Sequence, residues 1–252
     1  MPIYDRFAKH YQSGPYTQFT RRVISEVFPR WLELLDFQPQ TLLDLACGSG
    51  EFALAQAEAG LQVTGLDQSA RFLALGQAEA KARGLKLSWV QGDMTRFDLG
   101  QEFDCVTSWF DSLNYLLHVE ELAAAFKQVA AHLAPGGYFL FDMNTIYGIT
   151  VQWQRFPYYL QQETADYIEF AENTCDYENS IATMRLIMFE RDGKAWRHFE
   201  ESHRERGYAI DDILLLLGAA GLTTLHVTGD PRLMSPLGSQ DGRVWIAARK
   251  GA

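Results

Sequence analysis

Two glycines and two carboxylates near the start of the chain have the types and the spacing of a ligand-binding turn. Gly48 and Gly50 follow an apolar segment that contains Asp44, and they let the backbone bend tightly and approach a ligand because glycine has no Cβ. Asp67 ends the next apolar segment, where a carboxylate accepts hydrogen bonds from ribose hydroxyls in α/β nucleotide binders. The alternative is that both glycines are ordinary turn residues and that Asp67 caps the following helix. The combined spacing favours a nucleotide-type site.

Further polar groups follow at the ends of two later apolar segments, where ligands bind in open α/β sheets. Asp93 can accept a hydrogen bond from the exocyclic amine of an adenine, and Met94 beside it can border the ring. Ser108 ends the next apolar segment. Each signal is weak alone, but their order along the chain favours an adenosine-containing ligand.

Strands and helices that alternate along the chain would position these residues. Such alternation predicts a doubly wound α/β fold, in which a parallel sheet carries helices on both faces. A helical pattern over 4–35 precedes the first strand. The predicted strands are 41–46, 62–67, 86–91, 103–108 and 137–142, and the predicted helices between them are 51–59, 69–83 and 119–133.

The pattern changes after residue 150. Residues 150–207 lack helical periodicity, and the polar breaks at 178–180 and 192–194 indicate hairpin turns between antiparallel strands. A helix over 210–220 and strands over 223–228 and 243–249 then return to the first pattern. The last two strands have no helix between them and are therefore predicted to be antiparallel neighbours. We expect one domain formed by 1–149 and 208–252, with 150–207 as an antiparallel β insertion.

Composition limits the class of protein. The 252 residues carry a formal net charge of −10, which argues against a nucleic-acid binder. No apolar run approaches the length of a membrane span, so we expect a cytoplasmic protein. The three cysteines lack a C-x-x-C spacing, and neither a zinc site nor a disulfide framework is expected. Cys47 and Cys105 are most simply small packing residues, although a nucleophilic role for Cys47 stays open.

The motifs taken together resemble the class I S-adenosylmethionine-dependent methyltransferases of the small-molecule type. The resemblance covers residues 1–145 well and 207–250 more loosely. It implies a mostly parallel, seven-stranded Rossmann-like sheet with an antiparallel last strand. The segments that carry it are LDLACGSG at 43–50, GLDQS at 65–69, GDM at 92–94, FDCV at 103–106 and LAPGG at 133–137.

The resemblance also implies a cofactor site. In that family the glycine turn and Asp44 hold the methionine part of S-adenosylmethionine, Asp67 takes the ribose, and Asp93 and Met94 border the adenine. The segment 4–11 resembles the N-terminal segment that closes over the cofactor. The implied cofactor-binding residues are Tyr4, Tyr11, Asp44, Ala46, Gly48, Gly50, Asp67, Gln68, Asp93, Met94 and Ser108.

Two other functions fit parts of the sequence. The turn also satisfies a loose dinucleotide pattern, which is typical of NAD-dependent oxidoreductases. Asp44 argues against that function, since a carboxylate there suits a cationic sulfonium and ammonium and would repel a pyrophosphate. A protein that binds the cofactor without transferring its methyl group remains the second alternative.

Methyl transfer needs orientation and desolvation of the nucleophile, and it needs a base only if the acceptor must first lose a proton. We therefore expect no catalytic triad and no metal. The acceptor-side candidates are Asp111, Asn114 and Tyr115, with a helix-initiating loop as the alternative. His203 is a further candidate base, although a surface histidine on a strand is the simpler interpretation.

These observations predict a methyltransferase that acts on a nitrogen or oxygen of a small molecule, with the insertion as the cover of the acceptor site. The aromatic side chains of the insertion either line that site or form its core, and core is the simpler interpretation. The insertion could also mediate a homodimer, since exposed strand edges need pairing or protection. The aromatic set is Trp153, Phe156, Tyr158, Tyr159, Tyr167 and Trp196.

Overall fold

A computed structural model describes residues 16–251 of the chain. The helices are α1 (Thr17–Arg22), α2 (Phe28–Leu34), α3 (Glu51–Glu58), α4 (Ala70–Arg83), α5 (Val119–His132) and α6 (Ile210–Ala219). The strands are β1 (Thr41–Leu45), β2 (Gln62–Asp67), β3 (Ser88–Gln91), β4 (Phe103–Ser108), β5 (Leu133–Asn144), β6 (Tyr158–Glu163), β7 (Tyr167–Asp176), β8 (Ile181–Asp192), β9 (Ala195–Arg206), β10 (Leu222–Asp230), β11 (Ser235–Pro236) and β12 (Arg243–Lys250).

The main sheet has the order β11-β10-β12-β5-β4-β1-β2-β3. Strand β1 pairs in parallel with both β2 and β4, whereas β12 runs antiparallel between β5 and β10. This topology confirms the predicted doubly wound sheet and its antiparallel last strand. The two-residue strand β11, which the sequence did not predict, adds an eighth strand at one edge.

Apolar side chains cover both faces of this sheet because successive residues of a strand point to opposite sides. Leu42 packs on one face with Trp31 of α2, in a cluster that also includes side chains of α3. Leu43 packs on the other face with Phe126 of α5 and Ile213 of α6. The helices on both faces thereby fix the parallel strands, whose carboxyl ends lie side by side at one end of the sheet.

The second sheet is antiparallel, with the order β6-β7-β8-β9. Hairpins at the predicted polar breaks join β7 to β8 and β8 to β9. A bridge between Thr145 and Tyr208 brings the two ends of this segment together. The β-rich insertion predicted from the sequence is therefore present.

Two elements differ most from their predicted extents. Strand β5 covers twelve residues because Leu133 already pairs with Phe103 and because Asn144 pairs with Arg243 at the other end. The predicted N-terminal helix is interrupted between α1 and α2 by a π-helical turn, Val23–Val27, and its residues 4–15 lie outside the described range. No helix within residues 16–251 is long and apolar enough to cross a membrane.

Candidate active site

The turn after β1 uses its two glycines for different purposes. Gly48 has a φ of +56°, and a Cβ added there would meet nothing within 4 Å, so its backbone is open to a ligand. Gly50 has a φ of +76°, and a Cβ added there would overlap the ring of Trp89. Gly50 is thus required for packing as well as for the left-handed backbone, and only Gly48 leaves room at the site.

Asp67 is fixed by two backbone hydrogen bonds at the end of β2. Its Oδ2 accepts from the N–H of Gly48 at 2.8 Å, and its Oδ1 accepts from the N–H of Ser69 at 2.8 Å. Burial raises the pKa of the Asp67 carboxyl group. The cap of α4 is the hydroxyl of Ser69, which accepts from the N–H of Phe72 at 3.2 Å. Asp67 therefore stabilises the glycine turn and is not needed as the helix cap.

Asp44 is a buried carboxylate on the same wall. Its Oδ1 accepts a hydrogen bond from the hydroxyl of Thr107 at 3.0 Å. Burial raises the pKa of Asp44 to about 7, with a smaller effect from the charge of Asp67. No lysine or arginine of residues 16–251 forms an ion pair with either carboxylate, which makes this wall suited to a cationic ligand.

A cavity of about 1310 Å³ lies between the carboxyl ends of the parallel strands, helix α1 and the inner face of the insertion. This volume exceeds the roughly 300–1,000 Å³ of a pocket for one drug-sized ligand, so a cofactor and a second molecule can fit. The predicted cofactor residues that line it are Asp44, Ala46, Gly48, Asp67, Gln68 and Met94.

Three other predicted cofactor residues, Gly50, Asp93 and Ser108, do not line the cavity. The Oδ1 of Asp93 accepts from the N–H and the hydroxyl of Thr95 at 2.9 and 2.7 Å, which closes a turn. Ser108 is buried, and its hydroxyl has no hydrogen-bond partner among residues 16–251. Gly50 packs as described above. Tyr4 and Tyr11 lie outside the described residues, and their role stays a prediction.

Cys47 lies in the glycine turn, but burial raises the pKa of its thiol well above the usual range. The neighbouring carboxylates of Asp44 and Asp67 act in the same direction. This environment disfavours the thiolate, which is the nucleophilic form of cysteine. The packing interpretation of Cys47 therefore fits the structure better than the nucleophilic one.

The far side of the cavity contains a network of buried polar side chains. Asn144 of β5 donates through Nδ2 to Asp111 Oδ2 at 2.5 Å and to Glu205 Oε2 at 2.9 Å. Asp111 follows β4 with a φ of +53°, and Glu205 lies near the end of β9. Both carboxyl groups line the cavity. The helix-initiating loop of the alternative is present, since a 3-10 helix (Ser112–Tyr115) begins directly after Asp111, but the Asp111 side chain does not cap that helix.

Arg243 neutralises part of this network. Its guanidinium donates to Asp111 Oδ2 at 3.0 Å and to a carboxylate oxygen of Asp142. Asp142 also accepts from the N–H groups of Phe110 and Asp111. Burial raises the pKa of Asp142 to about 6, whereas the charge of Arg243 lowers it.

Glu205 is the third carboxyl group near this guanidinium, which forms its ion pairs with Asp111 and Asp142. Burial, followed by the charge of Asp111, raises the pKa of Glu205 well above its usual range. The protonated, uncharged form of Glu205 is therefore favoured.

Tyr115 and His203 form a second polar pair on the cavity wall. The Tyr115 hydroxyl and His203 Nδ1 are 3.1 Å apart. His203 is only 1% exposed, so its interpretation as a surface histidine is wrong. Burial lowers the pKa of His203 to about 4, and its imidazole is therefore uncharged at neutral pH.

Asn114 does not line the cavity. Its Oδ1 accepts from the N–H of Asn144 at 2.8 Å, and its Nδ2 donates to the carbonyl groups of Asn144 and Arg206 at 3.0 and 2.7 Å. Asn114 therefore ties β5 to the end of β9, and its geometry indicates a supporting role rather than contact with an acceptor.

The aromatic side chains of the insertion divide between the two predicted roles and the surface. Trp153, Phe156 and Tyr159 line the cavity. Tyr167 is buried in the small core of the insertion, whereas Tyr158 and Trp196 are exposed.

Sequence reasoning missed Asp142, Glu205 and Arg243. Each belongs to a strand, and the informative signal is an acidic side chain within an otherwise apolar strand, as at Asp142. Alternation along β9 also places His203 and Glu205 on one face of the sheet.

Comparison with known proteins agrees with this geometry. A family model described as a methyltransferase domain matches residues 42–137. A protein of a Geobacillus species that is named as a methyltransferase is 35% identical over 211 residues, which are 83% of this chain and 84% of that protein. The dTDP-3-amino-3,6-dideoxy-α-D-glucopyranose N,N-dimethyltransferase of Streptomyces fradiae is 31% identical over 206 residues, which are 76% of this chain and 73% of that enzyme.

The crystal structure of an S-adenosylmethionine-dependent methyltransferase from Clostridium acetobutylicum has the same fold, with a TM-score of 0.82, 24% identity and 99% coverage of both chains. A Rossmann-like sheet with a glycine turn and an acidic second strand defines the class of adenosine-cofactor enzymes. Within that class, the chain belongs to the class I S-adenosylmethionine-dependent methyltransferases.

Proposed function

We propose that this enzyme transfers the methyl group of S-adenosylmethionine to an amine nitrogen of a small molecule bound between the main sheet and the insertion. The observation that supports it is the single cavity that joins the wall of Asp44, Gly48 and Asp67 to the wall of Asp111 and Glu205. The amino-sugar substrate in the name of the Streptomyces fradiae relative is consistent with an amine acceptor.

The residues of the first wall fit S-adenosylmethionine. Asp44 offers a buried carboxylate without a cationic partner among residues 16–251, which suits the positive charge of the cofactor. The Gly48 backbone is open to the cavity, and Asp67 is pinned beside it. When bound, the cofactor supplies a methyl group on a positively charged sulfur, and that sulfur keeps the electron pair of the broken carbon–sulfur bond.

The residues of the second wall would bind the amine and take its proton. An alkylammonium ion must lose a proton before its nitrogen lone pair can attack the methyl carbon. The negative charge of an ionised Glu205 would be stabilised by the nearby ammonium ion, and the carboxylate can then accept the proton of that ammonium. Asn144 holds the carboxyl group of Glu205 in place for this transfer.

The insertion covers the acceptor in this proposal. Trp153, Phe156 and Tyr159 would exclude water from the reacting groups, which strengthens the electrostatic interactions inside the cavity. A homodimer through the insertion is also proposed, supported by the exposed Tyr158 and Leu160 on edge strand β6. Sedimentation of the wild type and of Leu160→Lys tests the dimer, which the substitution should dissociate.

Calorimetry with S-adenosylmethionine and S-adenosylhomocysteine tests the cofactor site. No heat with either compound up to about a millimolar would contradict the proposal. Incubation of metabolite extracts with methyl-labelled cofactor then tests the reaction. Cofactor binding without any labelled product would favour a binding protein that does not transfer the methyl group.

A further inference from the structure

The inner face of the insertion forms the roof of the cavity, which we define by Tyr159, Asn173, Met184, His203 and Glu205. Strand register places Asn173 opposite Met184 and Met184 opposite His203, in one row across β7, β8 and β9. Adjacent strands lie about 4.8 Å apart, so Asn173 and His203 are about 10 Å from each other. The roof therefore has two polar ends with an apolar side chain between them.

The amide of Asn173 has a fixed orientation. Its Nδ2 donates to the carbonyl oxygens of Trp153 at 3.1 Å and Phe156 at 3.2 Å. A flipped amide would place oxygen against two oxygens, so the carbonyl end must point the other way. Its Oδ1 has no hydrogen-bond partner among residues 16–251, and Asn173 is only 6% exposed. An unsatisfied buried acceptor is costly, and a hydroxyl or N–H of a ligand would satisfy it.

The roof contains no cationic side chain. None of the seven lysine and arginine residues of 150–207 lines the cavity. Arg185, for example, lies between Glu172 and Glu200 with nitrogen–oxygen distances of 2.8 Å, and these side chains alternate away from the roof. The side chains of a strand alternate between its faces, which separates these charges from Asn173 and His203.

The rest of the described cavity offers little positive charge. Its two arginines are Arg243, which is already paired with Asp111 and Asp142, and the exposed Arg22. Five carboxylic side chains line the same cavity, namely Asp44, Glu51, Asp67, Asp111 and Glu205. A diphosphate would lose its hydration here and gain no strong cationic partner from residues 16–251.

We propose that the methyl acceptor of this enzyme is a phosphate-free amine, and that Asn173 Oδ1 accepts a hydrogen bond from a hydroxyl or N–H group of the acceptor that is remote from the methylated nitrogen at Glu205. This inference rests on the proposed function and specifies its substrate class. The enzyme would then differ from its Streptomyces fradiae relative, which is named for a nucleotide-linked amino sugar.

Anion-exchange separation of a metabolite extract from the source organism tests the substrate class. At neutral pH the column retains nucleotides, other phosphates and phosphate-free acids, whereas cationic and zwitterionic phosphate-free amines pass through. Each fraction is incubated with the enzyme and methyl-labelled S-adenosylmethionine. We expect labelled product in the unretained fraction, and a labelled product that contains phosphate, in the retained fraction, would overturn the inference. A labelled product without phosphate supports it in either fraction. Label in neither fraction, with S-adenosylhomocysteine still bound in calorimetry, would instead contradict the proposed function.

Calorimetry with thymidine diphosphate gives an independent test on the complex with S-adenosylhomocysteine. We expect no binding up to about a millimolar. Binding in the micromolar range that competes with the labelled reaction would overturn the inference.

The variant Asn173→Leu tests the proposed hydrogen bond. With a limiting amount of the unretained fraction, we expect at least a tenfold lower rate of labelling, and we expect the rate to recover as that fraction is concentrated. The matched control is Asn179→Leu, since Asn179 lies in the exposed turn of the same hairpin and bonds to Asp176. Equal rates for Asn173→Leu and the wild type would overturn the role of Asn173. If Asn173→Leu loses affinity for S-adenosylhomocysteine, the smaller polar variant Asn173→Ser replaces it in the same comparison.

Discussion

The cavity has two walls that are built in different ways. We call the side with Asp44, Gly48 and Asp67 the cofactor wall, and the side with Asp111, Glu205 and the network around them the acceptor wall, after their proposed roles. The cofactor wall comes from one short part of the chain, in which the N–H of Gly48 reaches Asp67 across 19 positions. The acceptor wall joins distant segments, in which Arg243 reaches Asp111 across 132 positions and Asn144 reaches Glu205 across 61. A local motif therefore forms the first wall, and the tertiary fold assembles the second.

The walls also differ in how they balance charge. Asp44 and Asp67 have no cationic partner among residues 16–251, and burial raises the pKa of both groups. On the acceptor wall, Arg243 compensates Asp111 and Asp142 within the protein itself. The cofactor wall thus gains from a cationic ligand, whereas the acceptor wall depends on its own ion pairs for stability.

The largest expected effect is the loss of Arg243. Arg243→Met leaves Asp111 and Asp142 buried without their guanidinium, which should lower the free energy of unfolding by about 3–5 kcal/mol. Chemical denaturation measures this change. The control is Arg232→Met, because Arg232 pairs with Asp230 and Glu26 near the surface and should contribute about 1 kcal/mol or less. Similar losses for both variants would contradict the difference between the walls.

The buried Asp44 of the cofactor wall should make the free energy of unfolding depend on pH. The pKa of Asp44 is raised to about 7 in the folded protein, so the unfolded chain ionises this group at a lower pH than the folded protein does. The free energy of unfolding of the wild type therefore falls as pH rises from about 4 to about 7. Asp44→Asn removes that loss, so its free energy of unfolding should gain up to about 4 kcal/mol on the wild type across this range.

Denaturation of both proteins at several pH values measures the gain. Asp104→Asn is a control of opposite sign, since hydrogen bonds from Gln40 and Thr41 lower the pKa of Asp104. Its loss of stability relative to the wild type should be present near neutral pH and disappear on acidification. A pH-independent difference for Asp44→Asn would show that Asp44 is already ionised in the folded protein.

A smaller effect is expected for cofactor affinity. If Asp67 binds the ribose as predicted, Asp67→Ala removes charge-assisted hydrogen bonds to it as well as the bond from Gly48, and binding of S-adenosylhomocysteine should weaken by roughly 1.5–3 kcal/mol. Calorimetry measures the affinity, and Asp98→Ala is the control because the Asp98 side chain is 93% exposed. Unchanged affinity for Asp67→Ala would exclude Asp67 from the ribose site.

The difference between the local cofactor wall and the long-range acceptor wall also explains which parts of the site could be predicted from the sequence. The turn around Gly48 and the strand that ends at Asp67 depend on short-range geometry, which residue type and spacing encode directly. The packing role of Gly50 depends on how Trp89 of β3 lies against the turn after β1, and spacing alone does not encode it. The burial of His203 likewise follows from the position of the insertion over the main sheet.

The acceptor network lies beyond local patterns for a further reason. A buried acid such as Asp142 is unfavourable unless its partners are in place. Those partners come from β12 and from the loop after β4, and their register is fixed only when the sheet is complete. Alternation indicates which face a strand residue occupies, but it does not identify the residue that faces it from another element.

The smallest expected effect separates stability from catalysis on the acceptor wall. Since burial favours the uncharged form of Glu205, the uncharged side chain of Glu205→Gln can still accept the hydrogen bond from Asn144, and the free energy of unfolding should change by less than about 1 kcal/mol. The amide cannot accept the proton of an ammonium ion, so kcat with a saturating amine should fall by about tenfold or more. Glu200→Gln, on the opposite face of the same strand, should retain the wild-type kcat. An unchanged kcat for Glu205→Gln would mean that the amine loses its proton to solvent before it enters the cavity, and the acceptor wall would then act by orientation alone.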